Sequence, residues 1–94
     1  MFNIILKTKM KKTKVMYFHA EWDNNSYAKL DNFYKTVKKL QVPFEVVDVE
    51  TPEGVQKSIK YGVRNVPTIL YTQGGKEIDR DKGNEAYTRI QYHF

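Results

Sequence analysis

Three side chains that could take part in catalysis lie within eight residues of one another: His19, Asp23 and Ser26. A serine acts as a nucleophile only when a base accepts its proton and a further group orients that base. Because such triads are recognised by geometry and not by closeness in sequence, this spacing is weak support for a hydrolase. Asp23 has no second carboxylate placed to pair with it in acid catalysis. Aspartate is a preferred residue at helix N-termini, so we predict that Asp23 is a helix N-cap.

The metal-binding residue types also lack a ligand pattern. The two histidines, His19 and His93, do not have the spacing of metal ligands, and the chain contains no cysteine. We therefore expect no metal site and no cofactor.

The apolar pattern predicts the strands and helices that would position these residues. Val15–Phe18 is a continuous apolar run of strand length, and it ends shortly before Asp23. Apolar residues then recur at three- and four-residue spacing until Pro43, whose preceding residue is pushed out of the helical region. The expected order is strand (2–7), strand (15–18), helix (about 24–40), strand (44–49), helix (52–61), strand (69–71), strand (77–79) and helix (84–92). This order indicates an α/β fold with a mixed sheet and helices on both faces.

The second of these helices carries the clearest end signals. Thr51 suits the N-cap and Pro52 the first helical position. Gly62 suits the left-handed residue that closes a helix. The strand before it, residues 44–49, is mostly apolar and is expected to be buried.

The length of the chain allows one domain, residues 1–94. Residues 1–14 are a short basic segment, expected to form the first strand and a turn. No apolar run approaches the roughly 20 residues of a membrane span, and residues 2–6 are too short for a secretory leader. We therefore expect a cytoplasmic monomer. The abundance of lysine, asparagine, isoleucine and tyrosine is typical of an AT-rich genome, such as that of a low-GC bacterium or its phage.

A cluster of lysines contributes much of the net charge of +5. Such a cluster can contact nucleic-acid phosphates, but charge runs are more often a solvated surface. A nucleic-acid-associated protein therefore stays open as one alternative. The cluster comprises Lys7, Lys9, Lys11, Lys12 and Lys14.

Three segments resemble the thioredoxin family. Residues 20–26 look like the active-site segment Ala-Glu-Trp-Cys-x-x-Cys, with aspartate and serine where the cysteines belong. Residues 61–68 look like the Tyr-Gly-Val-x-x-Val-Pro-Thr loop, and residues 74–76 like the hairpin before the last strand. The resemblance implies a thioredoxin-like α/β fold of thioredoxin or glutaredoxin type. It also implies a central mixed sheet of four to five strands flanked by helices, and a cis peptide bond before Pro67.

The departures from the family pattern affect its redox residues. Asp23 takes the position of the attacking cysteine and Ser26 that of the resolving cysteine. Tyr17 stands where many thioredoxins carry a buried acid, and Val46 where its partner lysine belongs. Since the thiolate is the nucleophile of thiol–disulfide exchange, these replacements predict a redox-inactive member, and any enzymatic activity is expected to be that of a thioredoxin/glutaredoxin-type oxidoreductase.

The retained frame predicts a binding face for a protein or an extended peptide. Trp22 is either an exposed anchor for that partner or packs locally against the loop before Pro67. Tyr27 is either a contact residue or the edge of the core. The alternative is a thiol–disulfide oxidoreductase whose cysteines are replaced in this chain or whose thiol is external. The face is expected to comprise Trp22, Asp23, Asn24, Tyr27, Val66 and Pro67.

Overall fold

The computed structural model describes residues 13–23, 26–83 and 85–94, with Ser26 and Tyr27 described by their backbone alone. The predicted strand at residues 2–7 and most of the lysine cluster lie outside this part of the chain. The elements are β1 (Lys14–His19), α1 (Ser26–Leu40), β2 (Phe44–Asp48), α2 (Pro52–Tyr61), β3 (Thr68–Gln73), β4 (Lys76–Lys82) and a C-terminal 3-10 helix (Ala86–His93).

The described strands form one mixed sheet in the order β2-β1-β3-β4. β1 pairs with β2 in parallel and with β3 in an antiparallel arrangement, and β3 continues antiparallel into β4. The parallel pair is joined by α1, because parallel strands need a long crossover connection. The predicted mixed sheet flanked by helices is confirmed.

Alternation along β1 divides the core into two clusters, because successive strand residues point to opposite faces of a sheet. Tyr17 faces the side covered by α1 and the C-terminal 3-10 helix, where Phe33 and Ile90 complete the packing. Phe18 faces the other side, where Val63 is buried and Tyr61 of α2 packs at the margin. Helices therefore cover both faces of the sheet, as the sequence predicted.

Local interactions fix both ends of α2. The Thr51 hydroxyl accepts a hydrogen bond from the Gly54 amide at 3.0 Å, and Pro52 opens the helix. Gly62 ends it in the left-handed region, at φ 63°. A β-carbon at Gly54 would overlap the Asp48 carbonyl oxygen, so this glycine allows α2 to approach the end of β2 closely.

Two predictions about the elements need correction. The last helix is a 3-10 helix over Ala86–His93 and not an α-helix over residues 84–92. The predicted buried strand at residues 44–49 is an edge strand of the described sheet, with only Val47 buried and Phe44 36% exposed. Among the described strands, β2 pairs with β1 alone, so no other described strand packs beside it.

Candidate functional site

Asp23 is paired with a lysine from the helix that follows it. The Lys29 ammonium lies 3.3 Å from Oδ1 and 3.1 Å from Oδ2 of Asp23. Both side chains are largely shielded, with 14% of Asp23 and 11% of Lys29 exposed. The described part of α1 begins at Ser26, so Asp23 does not adjoin the first described helical residue, as the predicted N-cap would. The carboxylate at this position therefore belongs to a shielded ion pair.

Tyr17 lies close to this pair. Its side chain is 2% exposed, and its ring stacks on Phe33 at 4.8 Å between centroids. Burial and the nearby Asp23 carboxylate raise the pKa of Tyr17 to about 12. Its hydroxyl makes no hydrogen bond to any described residue. A neutral phenol therefore occupies the space next to Asp23, and it cannot serve as a proton acceptor near neutral pH.

An apolar groove opens beside this segment, and we call it the Trp22 groove. It has a volume of about 710 Å³ and lies between Trp22, α2 and the loop of residues 62–66. Trp22 is 67% exposed, and Val55 and Ile59 of α2 are 41% and 70% exposed. Large apolar side chains left open to water around a concavity are typical of a binding site.

Arg80 of β4 holds the wall of the groove where α2 ends. Its guanidinium donates to the Tyr61 carbonyl at 2.6 Å and to the Gly62 carbonyl at 3.4 Å. The same guanidinium binds Glu77 through Nε at 2.5 Å and Nη2 at 2.6 Å. The hydrogen bond from Arg80 holds the pKa of Glu77 below its ordinary value. Arginine thereby satisfies carbonyl groups that a helix C-terminus leaves without intrahelical donors.

The structure brings together part of the face expected from the sequence. Trp22 and Val66 line the groove, and Pro67 is buried behind it with a cis Val66–Pro67 peptide bond. Asp23 adjoins Trp22 in the chain, but its carboxylate is engaged by Lys29. Asn24 and the side chain of Tyr27 lie outside the described part of the chain.

Sequence reasoning missed the contribution of α2 to this site. Val55 and Ile59 are four residues apart, and both line the groove. The signal was present, because two apolar residues at that spacing share one face of a helix. The same spacing is also typical of a helix face that packs against the core. The sequence therefore could not tell a buried face from a groove-lining face, and the exposure of both side chains in the structure decides it.

Across residues 13–23, 26–83 and 85–94, no three side chains of histidine, aspartate or glutamate are grouped as metal ligands would be. Neither α1 nor α2 nor the 3-10 helix is both long and apolar enough to cross a membrane, within the same described residues.

Comparison with known proteins gives three informative similarities, although no family model matches the sequence. Glutaredoxin 3 of Danio rerio is 34% identical over 91 residues, which cover 90% of this chain and 26% of that protein. The chain thus spans about a quarter of the length of this relative. The Fasciola hepatica thioredoxin structure superimposes with a TM-score of 0.77 at 28% identity, covering 99% of this chain and 91% of that one. The Schistosoma mansoni thioredoxin pre-protein gives a TM-score of 0.76 at 21% identity, covering 98% and 85%.

Proposed function

We propose that the chain, a member of the thioredoxin/glutaredoxin-like family with its α/β fold, is redox-inactive and binds a protein segment in the Trp22 groove. One observation carries the proposal. The two cysteine positions hold Asp23 and Ser26, while the groove beside them remains open and lined by exposed apolar side chains.

The chemistry of the two substituted positions supports the first half of the proposal. Thiol–disulfide exchange proceeds by attack of a thiolate on a disulfide sulfur, and the chain has no thiol to supply. Neither the carboxylate of Asp23 nor the hydroxyl of Ser26 can form a disulfide. The neutral phenol of Tyr17 stands in place of the family's buried acid, and Val46 stands in place of the lysine. The supporting groups have therefore changed together with the thiols.

The shape and lining of the groove support the second half. Trp22 and Ile59 each leave more than half of their side chain in water, so a partner that covers them removes apolar surface from solvent. Tryptophan is enriched among residues that dominate binding energies. We expect an extended peptide to place one apolar side chain in the groove between Trp22 and α2.

Two measurements test the proposal together. The unmodified chain should not reduce insulin in the presence of a thiol reductant above the background rate. Affinity capture should yield a partner whose binding weakens by tenfold or more in Trp22→Ala, which corresponds to about 1.4 kcal/mol. Tyr92→Ala is the matched control, because Tyr92 is a 79% exposed aromatic residue on the 3-10 helix. Equal loss in both variants, or no loss in Trp22→Ala, would contradict binding in the groove.

The alternative is a thiol–disulfide oxidoreductase that has lost its cysteines or uses an external thiol. The similarity of the chain to glutaredoxin 3 of Danio rerio supports this alternative function. Two tests separate it from the binding module. Efficient insulin reduction by the double variant Asp23→Cys with Ser26→Cys would indicate that only the thiols are missing. Tight binding of glutathione near residues 22–23, seen as amide chemical-shift changes, would support an external thiol.

A further inference from the structure

A second concave site lies on the face of the sheet that α2 covers, and we call it the lysine pocket. It has a volume of about 320 Å³. Lys14 and Glu45 line it from the adjacent strands β1 and β2, and Lys57, Lys60 and Tyr61 line it from α2. The Tyr61 hydroxyl donates to the Gly75 carbonyl at 3.3 Å, which ties α2 to the turn between β3 and β4 at its rim.

The lysine pocket is separate from the Trp22 groove. Lys14 begins β1, whereas His19 ends it just before the Trp22 segment. The two sites share no lining residue, although both take residues from α2: Ser58 and Ile59 line the groove, whereas Lys57 and Lys60 line the pocket. No residue that lines the Trp22 groove is needed to form the lysine pocket.

Positive charge dominates the lysine pocket. Glu45 forms one ion pair with Lys14, at 2.6 Å, and a second with Lys57. Lys60 has its ammonium 5.2 Å from the centre of the Tyr61 ring. Three ammonium groups against one carboxylate leave an excess of two positive charges around a small cavity. Lys14 and Lys57 remain 45% and 39% exposed, so an anion can reach both from solvent.

We propose that the lysine pocket binds the phosphate group of a small phosphate monoester. A phosphate monoester carries a charge of about −1.5 to −2 at neutral pH, which matches the excess in the pocket. Its three terminal oxygens can accept from several ammonium groups at once, and lysine binds phosphate as a point charge. The cavity is at the lower end of the volumes usual for small-molecule sites, which favours a small ester over a larger ligand.

Glu45 has a defined role in this site. Its carboxylate pairs with both Lys14 and Lys57, and it competes with any entering anion for the same two ammonium groups. Binding therefore requires the two lysines to turn partly from Glu45 to the phosphate. It follows that Glu45→Gln should bind phosphate more tightly, whereas Lys57→Gln and Lys60→Gln should bind it more weakly.

The test is a titration of the full chain with inorganic phosphate and with AMP, followed by amide chemical shifts. We expect both ligands to shift the amides of residues 45, 57–61 and 72–75, and adenosine to leave them unchanged. Lys57→Gln and Lys60→Gln should each weaken AMP binding about fivefold, since one charge at about 4 Å in water contributes about 1 kcal/mol. Glu45→Gln should strengthen it by a similar factor. Asp31→Asn is the matched control, because it removes an exposed carboxylate paired with Lys35 on α1 and changes the net charge equally.

Several results would overturn the proposal. Equal strengthening by Glu45→Gln and Asp31→Asn would show general attraction by net charge. Equal binding of adenosine and AMP would show that the phosphate is not recognised. An affinity for oligothymidylate that rises with its length and does not change in Glu45→Gln would assign the lysines to a polynucleotide surface instead. Lys60→Gln keeps the test valid if Lys57→Gln or Glu45→Gln unfolds, because Lys60 lies outside the Glu45 ion pairs.

Discussion

Tyr17 and Tyr71 together test how a buried tyrosine hydroxyl affects the free energy of unfolding, with and without a hydrogen-bond partner. Both rings are at most 2% exposed, and both belong to the core cluster covered by α1 and the 3-10 helix. The Tyr71 hydroxyl donates to Asp81 Oδ2 at 2.9 Å, and the ring stacks on His93 at 3.6 Å. The Tyr17 hydroxyl makes no hydrogen bond to a described residue. We therefore predict that Tyr17→Phe raises the free energy of unfolding and that Tyr71→Phe lowers it.

The size of each effect follows from the hydrogen bonding. A buried polar group without a partner costs about 1–3 kcal/mol, and phenylalanine removes that cost while it keeps the ring. The small void left by the oxygen offsets part of the gain, so we expect Tyr17→Phe to stabilise by about 1 kcal/mol. In a domain of this size, that raises Tm by roughly 4–8 °C. Tyr71→Phe loses a hydrogen bond to a carboxylate and should destabilise by about 1.5 kcal/mol.

Urea and thermal unfolding of the three proteins at pH 7, followed by circular dichroism, measure both effects. The two variants remove one oxygen atom each from the same core cluster, so the removed volume is matched. If Tyr17→Phe destabilises as much as Tyr71→Phe, the hydroxyl of Tyr17 makes a favourable interaction and the reasoning is wrong.

The same variant should also change the response to alkaline pH. The pKa of Tyr17 is raised to about 12 in the folded protein, whereas an unfolded tyrosine ionises near 10. Its contribution to stability is therefore fully present below pH 10 and is lost as the pH rises toward 12. Tyr17→Phe removes that loss, so its advantage should grow between pH 10 and pH 11 by at most about 1.4 kcal/mol. An advantage that stays constant from pH 8 to pH 11 would contradict the raised pKa.

Two further substitutions test contacts around α1 and α2. Gly54→Ala should destabilise by about 3 kcal/mol or prevent folding, measured by urea unfolding, because its β-carbon would overlap the Asp48 carbonyl. A loss below about 1 kcal/mol would show that α2 can move away from β2. Lys29→Met should destabilise by about 1–3 kcal/mol in the same assay, because it leaves the shielded Asp23 carboxylate without this ammonium. Lys35→Met, which removes an exposed pair on the same helix, should change stability by less than about 0.5 kcal/mol, and similar losses in both would contradict the reasoning.

Local signals in the sequence were enough to predict most of the fold. Helix α2 begins after Thr51 and ends before Gly62, as predicted. These ends were predictable because an N-cap needs a side-chain oxygen and a C-cap often needs a left-handed residue, and the sequence shows both residue types directly. The apolar run at Val15–Phe18 is a buried central strand, since continuous apolar runs are typical of strands covered on both faces. The 3-10 character of the last helix was not predictable, because its apolar residues fit either helix type.

The contacts of the candidate site were less predictable than its location. The Asp23–Lys29 pair joins residues six apart, a spacing that no helical or strand periodicity predicts, because only Lys29 lies within α1. The lysine pocket draws residues from β1, β2 and α2, which become neighbours only through the parallel pairing of the two strands. Arg80 was missed for the same reason, since its contacts with Tyr61 and Gly62 bridge β4 and the end of α2.

The Asp23–Lys29 pair also bears on whether redox activity could be restored. In Asp23→Cys, the Lys29 ammonium would lose a carboxylate partner and would favour the thiolate form of the new side chain, since a nearby lysine lowers the pKa of a thiol. This single substitution would then place a reactive sulfur in the segment. Tyr17 would remain a neutral phenol, and Val46 would remain apolar, so the groups that move protons in the family would still differ. A reactive thiolate with slow turnover in the double variant would thus show that the site kept a favourable electrostatic setting and lost its proton transfer.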